Sequence, residues 1–168
     1  MDQQNAIDWR SAEQTVLSFL TSVAGLGSDK LRRRRYKNAE ALLLRHGRFW
    51  SASGPSAQPR LRPANHCFTN AFHLLHERPD VYYVEGYYYE PGLVPLEHAW
   101  CVTRGGQVMD PTCRNPLSTL YFGVALKSGY VRRTVIRSGM PSVLWNHEAR
   151  FPMLTDDEDE WREPAFAV

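Results

Sequence analysis

A chain of 168 residues with 43% hydrophobic and 23% charged content has the length of one domain and the composition of a folded, soluble protein. Its formal charge of +2 is too small to point to nucleic acid or a membrane surface, and no apolar run reaches the roughly 20 residues that span a bilayer. The polar start MDQQNAIDWRSAEQ lacks the basic-then-apolar order of a secretory leader, so the expected setting is the cytoplasm, or that of an effector exported without a conventional signal peptide.

Ala12, Val16, Phe19, Leu20 and Val23 recur at helical spacing and predict a helix over 11–24, capped by Ser11 and ended by Gly25 or Gly27. A second helix is expected from Ser28 to about His46, with Leu31, Ala39, Leu42 and Leu43 as its stripe. The two read as an αα-hairpin covering one side of the domain. Segment 51–63 is rich in Ser, Pro, Gly and Arg and reads as a surface loop. CFTNAFHLLHE (67–77) has Phe68, Ala71, Phe72 and Leu75 at helical spacing, and Arg78-Pro79-Asp80 breaks it. VYYVEGYYYE (81–90) is dense in β-branched and aromatic residues and reads as a strand.

EHAWCVT (97–103), RGG and QVMDPT (107–112) have the signature of a hairpin around a glycine loop. Residues 116–126 are expected to hold a short helical turn. YVRRTVIR (130–137) alternates apolar and basic residues and predicts a half-exposed strand, and 141–150 suggest a last short helix. The acidic stretch after Phe151 reads as a mobile tail. The expected organisation is a single α+β domain of catalytic type over 1–155, with helices in 1–50 and a core over 65–137, followed by an acidic tail at 156–168. The blocks Arg32–Arg35 and Asp156–Glu160 read as solvated faces rather than binding patches.

Three cysteines are an odd number, which argues against a disulfide scaffold and leaves free thiols, metal ligands or a nucleophile. Cys67 falls at the start of a predicted helix, where the positive end of the helix dipole favours thiolate, the attacking form. His98 and Asp110 fall on consecutive strands. They share a face only if the connecting loop has an odd number of residues. A three-residue loop, Arg104-Gly105-Gly106, pairs Thr103 with Gln107 and Trp100 with Asp110, making His98 the diagonal neighbour of Asp110. A two-residue loop turns Asp110 away. Both registers are open to the sequence. In the first, Cys67 attacks, His98 moves the proton and Asp110 orients the imidazole. The Cys67 backbone N–H donates to the oxyanion, with Asn65 as a weaker second donor. Asn70, one turn along the helix, is assigned to stabilising the loop instead.

Other uses of these residues compete. Cys67 could be a packing thiol and Asp110-Pro111 a turn signal. Cys67, His98, Cys101 and Cys113 are the ligand types of a structural zinc site. His98 and Cys101, however, lie three apart on a strand and face opposite sides, and there is no C-x-x-C knuckle. His66 is a lesser candidate base, His73 and His76 read as surface, the tyrosines of 82–89 as sheet packing, and Glu85 as buried and paired.

The order Cys67, His98, Asp110 resembles that of the papain-like and transglutaminase-like cysteine enzymes. EHAWCVTRGGQVMDPT is similar to the part of the transglutaminase-like core where a His-Ala-Trp strand leads to an Asp-Pro-Thr strand, and VYYVEGYY to the strand before it. The chain also resembles small phage and bacterial proteins of unassigned activity in its cysteine-helix, YVEGY, HAW and DPT blocks. The resemblance spans residues 65–113. It implies a helix bearing the cysteine packed on an antiparallel sheet, and thiol-dependent acyl chemistry on an amide of a protein or peptide, with no cofactor or metal. A non-catalytic protein-binding module on the same fold is the competing expectation.

Overall fold

The computed structural model describes residues 7–26, 34–52, 54 and 58–167. Helix α1 (Trp9–Gly25) buries Ala12, Val16 and Leu20, and its cap is Asp8, which accepts from the Ser11 N–H. Helix α2 (Ala39–His46) starts at residue 39 rather than 28. The Asn38 side chain accepts from the Ala41 N–H and so sets the first turn there. Residues 28–33, with Arg32 and Arg33 of the basic block, lie outside the described residues.

Strand β1 (Arg48–Ala52) begins where only the end of a helix and a loop were expected. Helix α3 (Cys67–Glu77) and strands β2 (Val81–Tyr89), β3 (Leu96–Thr103) and β4 (Gln107–Met109) follow the predicted elements closely. The predicted helical turn at 116–126 is confined to Pro116–Ser118, and β5 (Leu120–Leu126) follows it. All seven β5 residues are buried, so the strand has no polar face to betray it by alternation. The predicted strand at 130–137 is helix α4 (Ser128–Ser138), ended by Gly139 in a left-handed cap. Its core contacts come from Tyr130, Val131 and Val135, and the four-residue spacing of the two valines outranks the apolar–basic alternation. Residues 141–150 form turns instead of a helix.

The five strands close into a barrel in the order β1-β4-β3-β2-β5, antiparallel except for β1 against β4. Trp50, Val84, Trp100, Val102, Val108, Tyr121, Ala125 and Phe166 cluster on one face, which is the barrel interior. The other face packs against the helices through Leu20, Leu42, Leu75, Tyr83, Cys101 and Val131. The architecture is therefore α+β, helices around a small closed barrel.

The acidic tail is not loose. Short helix α5 (Glu158–Trp161) buries Trp161 completely, Phe166 enters the barrel cluster, and Arg162 bridges to Leu126. Asp157 pairs with Arg35 at 2.7 Å and Asp156 accepts from the Tyr130 hydroxyl at 2.8 Å. Apolar anchors on either side of the acidic run hold it against basic and hydroxyl partners. No helix among the described residues is long and apolar enough to cross a membrane.

Candidate active site

The hairpin β3–β4 takes the three-residue loop. Cys101 pairs with Met109 and Val102 with Val108, so Trp100 falls opposite Asp110 and His98 lies diagonal to it. Gly106, at φ 78°, supplies the left-handed residue such a loop needs. His98 Nε2 lies 2.7 Å from Asp110 Oδ2, both side chains being buried.

Asp110 is satisfied as an anion. Oδ2 also accepts from the Tyr121 hydroxyl at 3.0 Å, and Oδ1 accepts from the N–H groups of Thr112 and Cys113 at 2.8 and 3.1 Å. Burial pushes its pKa up, but the His98 charge and these hydrogen bonds outweigh burial and hold the carboxyl below its ordinary value. Because every neighbour of Asp110 donates, the His98 proton belongs on Nε2, and Nδ1 keeps its lone pair. Burial pulls the His98 pKa down; the Asp110 charge and hydrogen bond, with a smaller contribution from Cys67, reverse this and raise it. Cys67 thus acts on the imidazole from close range.

Tyr88 packs on the imidazole at 4.5 Å between ring centroids, and Trp100 lies nearly parallel to it at 6.2 Å. These rings leave His98 at the mouth of the barrel with its plane set.

Cys67 is brought there by α3. The helix packs on the outer face of β3, where the Cys101 thiol donates to the Ala71 carbonyl. Upstream, Arg62 N–H donates to the Pro111 carbonyl, and Asn70 Nδ2 donates to the Pro63 carbonyl and to Thr112 Oγ1. Asn70 therefore ties the loop before Cys67 to the Asp110-Pro111-Thr112 turn, as its position one turn into the helix suggested. The cap residue His66 makes no side-chain cap hydrogen bond to the first turn of α3, whose N–H groups have no acceptor within the helix. Asn65, exposed and at φ 63°, lines the groove beside Cys67.

The groove has a volume of about 830 Å³, with Cys67 and His98 in its lining. Cys113 also lines it but is buried, and Cys101 is buried on the opposite face of β3 from His98. The four ligands considered for zinc therefore do not converge, and among the described residues no group of three His, Cys, Asp or Glu side chains gathers as a metal would need. His73 and His76 sit on α3, away from the groove lining.

Three residues escaped the sequence. Tyr121 holds the orienting carboxylate from β5, a strand with no polar signature. Glu97 and Glu90 line the groove beside His98, and nothing in their local sequence marks them. Searches against protein-family models, curated proteins and solved structures find no match to this chain.

Proposed function

We propose that the protein is a cysteine-nucleophile enzyme acting on an amide of a protein or peptide, built on a divergent papain-like or transglutaminase-like core. One observation carries the reading: the thiol at the open end of α3 shares a groove with an imidazole that a buried carboxylate orients at 2.7 Å. A packing cysteine has no use for that arrangement, which is the one nucleophilic catalysis needs.

The chemistry follows from the atoms. Cys67 Sγ attacks the amide carbonyl carbon while its proton passes to His98 Nδ1. The negative charge arising on the carbonyl oxygen is met by the Cys67 N–H at the helix start, with Asn65 as second donor. Collapse breaks the C–N bond, His98 returns its proton to the leaving amine, and a thioester remains. His98 then draws a proton from water or from a second amine, which attacks the thioester and frees the thiol. Water as acceptor makes the enzyme a peptidase, amidase or glutamine deamidase; an amine makes it a transglutaminase. Asp110 stays ionised throughout, stabilising the imidazolium and holding its Nε2 proton.

Capture of partner proteins on a Cys67→Ala variant, followed by mass spectrometry of those partners after exposure to wild type, tests the reading. Cleavage, a deamidated glutamine or a new isopeptide link is expected. Captured partners that emerge unmodified would favour the non-catalytic binding module.

A further inference from the structure

The buried tyrosines of the sheet and of α4 donate their hydroxyls to carboxylates: Tyr83 to Glu85, Tyr87 to Glu40, Tyr121 to Asp110 and Tyr130 to Asp156. Tyr88 does not. Its half-buried side chain lines the groove with Cys67 and His98. Its hydroxyl, however, takes no hydrogen bond among the described residues and is open to solvent.

The sheet register places this ring at the triad. Gly86 pairs with His98 and Tyr88 with Leu96, so Tyr88 is the diagonal neighbour of the imidazole on the same face. Residue 86 has no side chain to stand between them, and the Tyr88 ring lies 4.5 Å from the imidazole, tilted by 46°. On its other side Tyr88 pairs with Tyr121 of β5. Two tyrosines thus stand side by side here: Tyr121 holds the Asp110 carboxylate, and Tyr88 covers His98 with its hydroxyl uncommitted. A ring kept only to pack on the imidazole needs no hydroxyl, because phenylalanine offers the same face. Burial, and then the charges of Glu90, Cys113, Asp110 and Cys67, raise the Tyr88 pKa. The hydroxyl therefore keeps its proton and remains a donor within electrostatic reach of the Cys67 sulfur.

We propose that Tyr88 is a further catalytic residue of this groove, its hydroxyl donating a hydrogen bond to the oxyanion that forms when Cys67 attacks a carbonyl. The proposal rests on Cys67 being the nucleophile. Asn65 and the Cys67 N–H belong to the start of α3 and the loop before it, whereas Tyr88 comes from β2, so the carbonyl oxygen is held from two elements at once. A hydrogen bond to the charged oxygen is stronger than one to the neutral carbonyl, and the difference lowers the barrier to attack.

Tyr88→Phe keeps the ring on His98 and removes only the donor, and two reagents separate the two roles. Para-nitrophenyl acetate acylates a thiol through a tetrahedral oxyanion: the Sγ–C bond forms, para-nitrophenolate leaves, and the thiol proton passes to His98. Iodoacetamide alkylates the same sulfur by displacing iodide, with no oxyanion. Release of para-nitrophenolate and peptide mass spectrometry read the two rates at Cys67. Tyr88→Phe is expected to slow acylation roughly 10²-fold and to leave alkylation unchanged. Tyr82→Phe, which removes a hydroxyl outside the groove, should alter neither rate. Acylation as fast in Tyr88→Phe as in wild type would overturn the proposal while leaving the nucleophile intact. So would acylation and alkylation lowered in equal measure in a variant that melts like wild type. A wild-type Cys67 alkylated no faster than free N-acetylcysteine would instead overturn the nucleophile, and the proposal with it.

Discussion

Asp110 accepts four hydrogen bonds, from His98, Tyr121, Thr112 and Cys113. An asparagine there must turn its amide N–H groups towards two of these donors. Asp110→Asn is therefore expected to release His98 into the wrong tautomer and lower turnover roughly 10²- to 10⁴-fold, measured as the rate of modification of a captured partner. Tyr121→Phe removes one donor to the same carboxylate and should cost about 1 kcal/mol of stability in denaturant melts, with a smaller loss of rate. The meeting of His98 and Asp110 was legible in the sequence because loop parity decides whether a strand-borne histidine and aspartate can share a face, and Gly105-Gly106 permits the odd loop. Tyr121 was not legible. Its role depends on barrel closure bringing β5 round to β4's end by way of β1, which no local pattern encodes.

At the scale of elements, Gly86 decides how β2 sits between its neighbours. It pairs with His98 on one side and Gly123 on the other, and a Cβ at residue 86 would come within 2.1 Å of the Phe122 carbonyl oxygen and 2.5 Å of Gly123 Cα. Gly86→Ala is expected to destabilise by about 2–3 kcal/mol and to move His98, seen as a loss of activity larger than the loss of fold at a temperature where both forms are folded. Glu85, next along, fastens the 141–146 turns. Its carboxylate accepts from the Val143 and Leu144 N–H groups at 2.7 Å each and from the Tyr83 and Ser142 hydroxyls. Those turns were misread as a helix because their conformation is set by a side chain almost sixty residues away. α4 was misread for a simpler reason: the mix of apolar and basic residues over 130–137 was taken for a strand when the spacing that matters is Val131 to Val135.

Across the whole molecule, buried ionisable groups tie stability to pH. Burial is the largest influence on Glu85 and raises its pKa from 4.5 to about 7, although its four donors oppose this. The folded state therefore holds that proton more tightly than the unfolded chain, so its contribution to stability is full below pH 4.5 and is lost as pH rises to about 7. Melting temperatures across this range should fall with rising pH, and the Glu85→Gln variant, less stable by about 2 kcal/mol from unsatisfied N–H groups, should lose this part of the slope. Barrel closure and the packed acidic segment 156–162 belong to this scale too. The sequence conveyed the α+β class and the central helix and hairpin, but not the closure, since β1 and β5 meet only in three dimensions.

The nucleophile itself is tested most directly by alkylating the native protein with iodoacetamide at neutral pH and resolving each cysteine by mass spectrometry. Cys67 should react at least about tenfold faster than N-acetylcysteine in the same tube, and His98→Gln should abolish that lead. A Cys67 rate no greater than that of the free thiol, or a lead that survives loss of His98, would contradict the account.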